Sequence, residues 1–241
     1  MAALRTSLAA CVVSGWVLLA GPPLLLWALL TRQTGPLYAA GAFGVRLGFL
    51  LVGITVRTEG LEHMPPGGAV YACNHSSNVE APAMFWALRS RFPRVRVLYK
   101  AELRKLPVLV WVFDAAGFVP LERGNKDQSW PAIDRAADAL RAGNSFFIFP
   151  EGTRSRTGEL LPFKKGGFVM ALKAQAPVVP VAVIGGRSAM RKGSALIWPA
   201  TVVVSFLPPV PTAGHAFDDR DVVIAQVRES IAARLAAPFS V

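Results

Sequence analysis

Residues 8–30, LAACVVSGWVLLAGPPLLLWALL, run for 23 positions without a charged side chain. Wound as a helix, such a run measures ~34 Å, enough to cross the ~30 Å hydrocarbon layer of a bilayer. Part of the chain is therefore expected in lipid, and the composition agrees: 53% apolar residues, 17% charged and a mean hydropathy of +0.41. Pro22 and Pro23 sit inside the run, where a missing N–H and a ring clash kink or break a helix. A second apolar stretch, residues 36–56, is interrupted by Arg46.

Three arrangements compete: a cleaved signal peptide, two spanning helices, or a helical hairpin dipping into one leaflet. The first run is longer than the ~7–15 apolar residues of a signal peptide. The two prolines and Arg46 favour broken, shallow helices, with Arg46 reaching the headgroups. Residues 1–57 are thus expected to form a membrane-anchoring helical hairpin, with residues 58–241 as a second unit. Arg57 and the basic remainder place that unit on the cytoplasmic side of the cell (inner) membrane.

The net charge is +11, from 26 Lys and Arg against 15 Asp and Glu. That balance draws anions such as nucleic acid, anionic lipid or phosphorylated small molecules. The apolar segment, and the scarcity of aromatics amid the basic run at 89–105, count against nucleic acid. Cys11 lies in the apolar segment and Cys73 precedes Asn74, so a disulfide is not expected. Cys73 and His75 lack a second Cys/His pair at zinc-site spacing, and no metal is expected.

Beyond residue 57 the texture changes to strands alternating with helices. Strands are predicted at 52–58, 69–73, 94–99, 117–121, 145–149, 178–184 and 201–207, all β-branched or aromatic runs bounded by Gly, Pro or charge. Residues 129–142 carry Ile133, Ala136, Ala137 and Leu140 at helical spacing, with Ser129 as cap, Pro131 in the first turn and Gly143 at the end. Residues 219–237 place Ile224, Val227, Ile231 and Leu235 on one apolar stripe, a C-terminal amphipathic helix. The fold class is α/β, a central mixed sheet flanked by helices.

Chemistry is concentrated in a few loops. YACNHSSNVEAP, residues 71–82, follows a predicted strand and leads into a helix opened by Pro82. Loops of this kind carry the sites of α/β folds. If the loop folds Glu80 back against His75, the carboxylate fixes the ring tautomer and raises the basicity of the other nitrogen. A capped helix start uses the same residue types, so this loop alone leaves catalysis and capping about equally open. Ser76 and Ser77 lack a G-x-S-x-G elbow. FIFPEGTRSRTGEL, residues 147–160, follows another apolar strand. There Gly152 permits a tight turn, Thr153 and nearby N–H groups can form an anion nest, and Arg154 supplies a forked donor. GFVPLERG, residues 117–124, delivers Arg123 to a strand exit. Most of the basic residues at 89–105 are expected to face anionic headgroups. His63 and His215 receive no role beyond local hydrogen bonding.

NHSSNVEAP, GFVPLERG, FPEGTR and VVPVAV, in that order, resemble the glycerolipid acyltransferase family over roughly residues 60–210. The resemblance implies that His75, held by Glu80, is the general base that deprotonates an acceptor hydroxyl. It implies that this oxygen attacks the thioester of acyl-CoA or acyl-carrier protein, with no cofactor. It implies lysophosphatidic acid as acceptor, acylated at its sn-2 hydroxyl to phosphatidic acid in phospholipid biosynthesis, among membrane phospholipids. Arg123 with Glu151, Gly152, Thr153 and Arg154 would hold the acceptor phosphate. Asn74, Pro180, Lys100 and Lys164 would border the acyl or donor site. The family pattern has Asp five positions after the His, where this chain has Glu80. The added methylene, ~1.5 Å, requires the carboxylate to fold back or the loop to shift. Another phosphorylated acceptor (glycerol 3-phosphate or a different lysophospholipid), a thioester hydrolase and a non-catalytic lipid-binding protein stay open as rivals.

Overall fold

In the computed structural model, residues 1–105, 107–122 and 126–237 are described. All seven predicted strands form, each within a few residues of its expected bounds: β1 (Ile54–Glu59), β2 (Val70–Cys73), β3 (Val95–Lys100), β4 (Val119–Leu121), β5 (Ser145–Ile148), β6 (Val178–Ile184) and β7 (Ala200–Phe206). They join one sheet in the order β1-β7-β6-β2-β5-β3-β4. Every pairing is parallel except β6 with β7, so the sheet is mixed, as expected. β2 and β5 are buried along their whole length, which explains why they read as unbroken apolar runs and not as alternating ones.

The helices are α1 (Ala2–Thr31), α2 (Gly35–Val52), α3 (Glu80–Ala87), α4 (Pro107–Ala115), α5 (Lys126–Arg141), α6 (Gly166–Ala174), α7 (Gly186–Ala189) and α8 (Arg220–Ala236). Side chains of β2 alternate between the two layers. Val70 and Ala72 pack with Ile133 of α5, Phe168 of α6 and Val227 and Ile231 of α8. Tyr71 and Cys73 pack on the opposite face with Ala83 and Met84 of α3 and with Tyr38 and Val52 of α2. The stripe expected at the C-terminus is the face of α8 turned to the sheet: Val227 and Ile231 are fully buried, and Ile224 and Leu235 are packed at its margin.

Two expectations about helices are corrected. First, α1 is not broken at Pro22 and Pro23; it runs unbroken for 30 residues, ~45 Å at 1.5 Å per residue. Two prolines delete two rungs of the ladder, but the rungs on either side and the packing on α2 keep the axis. Trp16 donates its indole N–H to the Ala40 carbonyl at 3.0 Å, and its ring lies 4.7 Å from that of Phe43. A Cβ at Gly44 would come within 3.0 Å of the Trp16 ring, so the two helices approach closely because of a missing side chain. Likewise α2 continues through Arg46, which is exposed. Second, α5 begins at Lys126, so Ser129 lies within the helix and is not its cap, and Pro131 lies in its interior. Capping residue types locate helix ends only loosely.

Both α1 and α2 are long and apolar enough to cross a membrane by length and composition. The pair is fastened to the sheet domain. The Tyr38 hydroxyl reaches the carbonyls of Val95 and Ala116, and the Thr6 hydroxyl accepts from the Ile197 N–H at 3.0 Å. Residue 57 lies inside β1, so the chain enters the sheet at Ile54 while still within the segment expected to be anchor.

Candidate active site

β6, β2 and β5 are adjacent and parallel, and their carboxyl ends lie together. In open α/β sheets, sites form where such strand ends open into loops. β2 leads to Asn74, His75 and α3; β5 leads to the loop containing Glu151 to Arg154; β6 leads through Gly185 to α7.

The His75–Glu80 contact expected from the sequence is present. The His75 Nδ1–H donates to Glu80 Oε2 at 2.9 Å. The same carboxylate accepts the Ser76 N–H at 2.8 Å on Oε2 and the Ser76 hydroxyl at 2.6 Å on Oε1. Glu80 is the first residue of α3 and is fully buried, where three donors and the helix start suit a carboxylate. Folding back is thus how the longer side chain reaches the ring. With Nδ1–H committed to Glu80, His75 Nε2 carries the free lone pair. The ring stacks on Phe149 at 4.0 Å between centroids and 21°, which fixes its plane at the end of β5.

Glu151 is turned inward. It is buried, and its Oε1 accepts the backbone N–H of His75 at 2.7 Å while Oε2 accepts that of Leu161 at 3.0 Å. The His75 carbonyl in turn accepts the Ser155 N–H at 2.7 Å. The carboxylate expected among the phosphate-holding groups therefore ties the two loops together, and its oxygens repel an anion. Burial pushes the Glu151 carboxyl above the ordinary carboxylate range, partly offset by the N–H groups of Leu161 and His75.

Gly152 adopts φ +69, the left-handed conformation that its turn needs, and the Lys164 stem packs over it so that a Cβ would meet Lys164 Cε at 2.8 Å. Thr153 is exposed and Arg154 half-exposed beside it. Lys164 thus joins the loop, while Lys165 pairs with Asp221 of α8 at 2.9 Å. Arg123 lies outside the described residues. Asn74 is at the site but engaged elsewhere: its amide pairs with the Val183 backbone of β6. Pro180 is buried in mid-strand opposite Ala72, and Lys100 lies at the exposed end of β3, paired with Glu102 at 2.9 Å.

Some residues at the site escaped the sequence reading. The Lys192 Nζ donates to the Arg154 carbonyl at 2.7 Å and to the Thr153 hydroxyl at 3.3 Å, adding a cation to the loop. Arg187 donates to the Arg156 carbonyl through Nε at 3.1 Å and Nη2 at 2.9 Å. Both come from the segment after β6, and their only local signal is basic character close behind a Gly-Gly turn. Conversely, much of the dense basic run serves the protein itself. Arg91 caps the carbonyls of Met64 and Pro66, Arg96 that of Gly117, and Arg104 pairs with Asp114 at 3.0 Å. His63 Nδ1 donates to the Phe206 carbonyl at 2.9 Å, and His215 lies 3.4 Å from Asp219, matching their expected local roles. Among the described residues no group of three His, Cys, Asp or Glu is placed to hold a metal.

Beside the His75 loop, an apolar cavity of about 600 Å³ lies between the N-terminal helices and the sheet domain. Val79 and Pro82 border it from the loop and α3, Val13 and Trp16 from α1, and Gly41 and Phe49 from α2. The arrangement can take a proton from a hydroxyl at Nε2, with cations and an apolar recess on either hand.

The sequence profile described as Acyltransferase matches residues 55–184. The chain is 32% identical over 210 residues to a 1-acyl-sn-glycerol-3-phosphate acyltransferase of Limnanthes douglasii, covering 86% of this chain and 72% of that protein. It is 30% identical over 183 residues to the human 1-acyl-sn-glycerol-3-phosphate acyltransferase alpha, covering 75% and 64%. The 1-acyl-sn-glycerophosphate acyltransferase PlsC of Thermotoga maritima superposes with a TM-score of 0.80 at 25% identity, covering 99% of this chain and 98% of that one.

Proposed function

The chain belongs to the acyltransferase family, and on that premise we propose that it moves a fatty acyl group from acyl-CoA or acyl-carrier protein to the sn-2 hydroxyl of lysophosphatidic acid, giving phosphatidic acid. The observation that carries this reading is the His75 Nδ1–Glu80 contact of 2.9 Å at a buried carboxylate, close to the cationic loop. Nε2 takes the proton of the acceptor hydroxyl as its oxygen bonds to the thioester carbonyl carbon. The resulting oxyanion collapses, the C–S bond breaks, and the departing thiolate takes the proton back from Nε2. No metal or organic cofactor enters this sequence.

Thr153, Arg154 and Lys192, with Lys164 beside them, suit a phosphate monoester. Fixing that phosphate aligns the hydroxyl with Nε2, converting binding into orientation. The apolar cavity suits a fatty acyl chain. The names of the relatives favour lysophosphatidic acid over glycerol 3-phosphate as acceptor. The α1–α2 hairpin then holds the enzyme on the inner membrane among phospholipids, its sheet domain toward the cytoplasm, where both substrates meet it.

The test is acylation by wild type and His75→Ala with labelled acyl-CoA or acyl-carrier protein. Lysophosphatidic acid, glycerol 3-phosphate and no acceptor form parallel arms. The expected result is phosphatidic acid from wild type and a loss of about 10²- to 10⁴-fold in the variant, the usual worth of a general base. Equal product from both proteins would sink the mechanism; thioester loss without acceptor would make the protein a hydrolase.

A further inference from the structure

We infer that Gly186 is a positioning residue for this site: the absence of its side chain makes the room that lets Glu80, one carbon longer than aspartate, hold His75. This rests on the reading of His75 as the base and extends it to a residue four strands further along the chain. A Cβ on Gly186 would lie 2.7 Å from Glu80 Oε1, 2.9 Å from Cγ and 3.2 Å from Cδ. Glu80 is fully buried and committed to Ser76 and His75 through both oxygens, so it cannot swing aside without giving up those bonds.

The backbone of Gly186 does not itself require glycine. Gly185, its neighbour, is at φ +84 and would place a Cβ 2.1 Å from the Thr201 carbonyl oxygen; Gly186 has no positive φ. The three atoms nearest a Cβ at 186 all belong to the Glu80 side chain. An aspartate at 80 lacks Oε1, the atom nearest that Cβ, but keeps Cγ; a methyl group at 186 fits once the shorter side chain turns about χ1. Residues 80 and 186 therefore form one steric unit, and their substitutions are not additive.

The experiment compares wild type, Gly186→Ala, Glu80→Asp and the double variant. Three readouts are used: kcat and KM for lysophosphatidic acid, thermal denaturation, and ¹⁵N-histidine spectra that report the ring tautomer. Only His63, His75 and His215 contribute to those spectra. Expected are an order ~10²-fold fall in kcat for Gly186→Ala with little change in KM, and a His75 signal displaced from the Nδ1–H tautomer. The double variant regains ~10-fold or more of the lost rate together with the tautomer signal. If Gly186→Ala does not fold but the double variant does, the clash with Glu80 is confirmed. Failure of Glu80→Asp to relieve Gly186→Ala, in rate, tautomer or folding, overturns the inference. The tautomer and folding readouts need no substrate: should wild type fail to acylate while they follow the expected order, the acceptor assignment fails and this inference stands.

Discussion

The Asn74 side chain is hydrogen-bonded at both ends to the backbone of Val183: its Nδ2 donates to the carbonyl at 2.9 Å, and the Val183 N–H donates to its Oδ1 at 2.7 Å. β2 ends at Cys73, opposite Val181, and β6 runs on to Ile184. The amide of Asn74 thus replaces the ladder that β2 no longer supplies, and it does so one residue before His75.

Asn74→Ala leaves that buried N–H and carbonyl of Val183 without partners. Each group left unpaired costs about 1–3 kcal/mol. The expected outcome is a lowered melting temperature together with a lower kcat, because the loop carrying His75 loses its tether. Thermal denaturation and steady-state rates on detergent-solubilised protein check it; an unchanged melting temperature would contradict it.

Glu151 makes stability depend on pH in a direction opposite to that of a salt-bridged acid. Burial raises its pKa above the ordinary 4.5, so the folded chain keeps the proton more readily than the unfolded one. Its contribution is therefore most favourable below pH 4.5 and is lost as pH rises through the raised value. Glu151→Gln cannot titrate. The melting-temperature difference, wild type minus variant, should grow as pH is lowered from neutrality toward 4.5. A flat difference across that range contradicts the burial argument.

Lys192 reaches the Thr153–Arg154 turn from the far side of the site. Lys192→Ala is expected to raise KM for the phosphorylated acceptor by roughly 10-fold and to leave kcat within about 2-fold, the signature of lost uniform binding. A fall in kcat at unchanged KM would instead place Lys192 in the chemical step.

Cys73 is buried at the end of β2. Burial, and secondarily the charge of Glu80, push its thiol well above the ordinary range. It should resist iodoacetamide at pH near 8 in the folded protein and react once denatured, since the thiolate is the nucleophile. Peptide mass spectrometry distinguishes it from Cys11, which is exposed on α1. Labelling of Cys73 in the native protein would show that β2 opens.

The amino-acid sequence by itself determined the seven strands, the apolar N-terminal pair of helices, the inward stripe of α8 and the two loops that meet. Each is written in residues that are neighbours along the chain, as a period, a turn residue or a charge-free run. The His75–Glu80 pair was legible for the same reason, lying within one loop. Tertiary structure alone decided that α1 continues through Pro22 and Pro23, that Glu151 braces His75, that Asn74 meets Val183, that Lys192 joins the turn at Thr153, and that Gly186 leaves Glu80 its space. Those contacts link residues some 38 to 109 positions apart or, for α1, depend on a neighbouring helix. A side chain's partner across such distances is set by which strands lie side by side, and no local pattern encodes that.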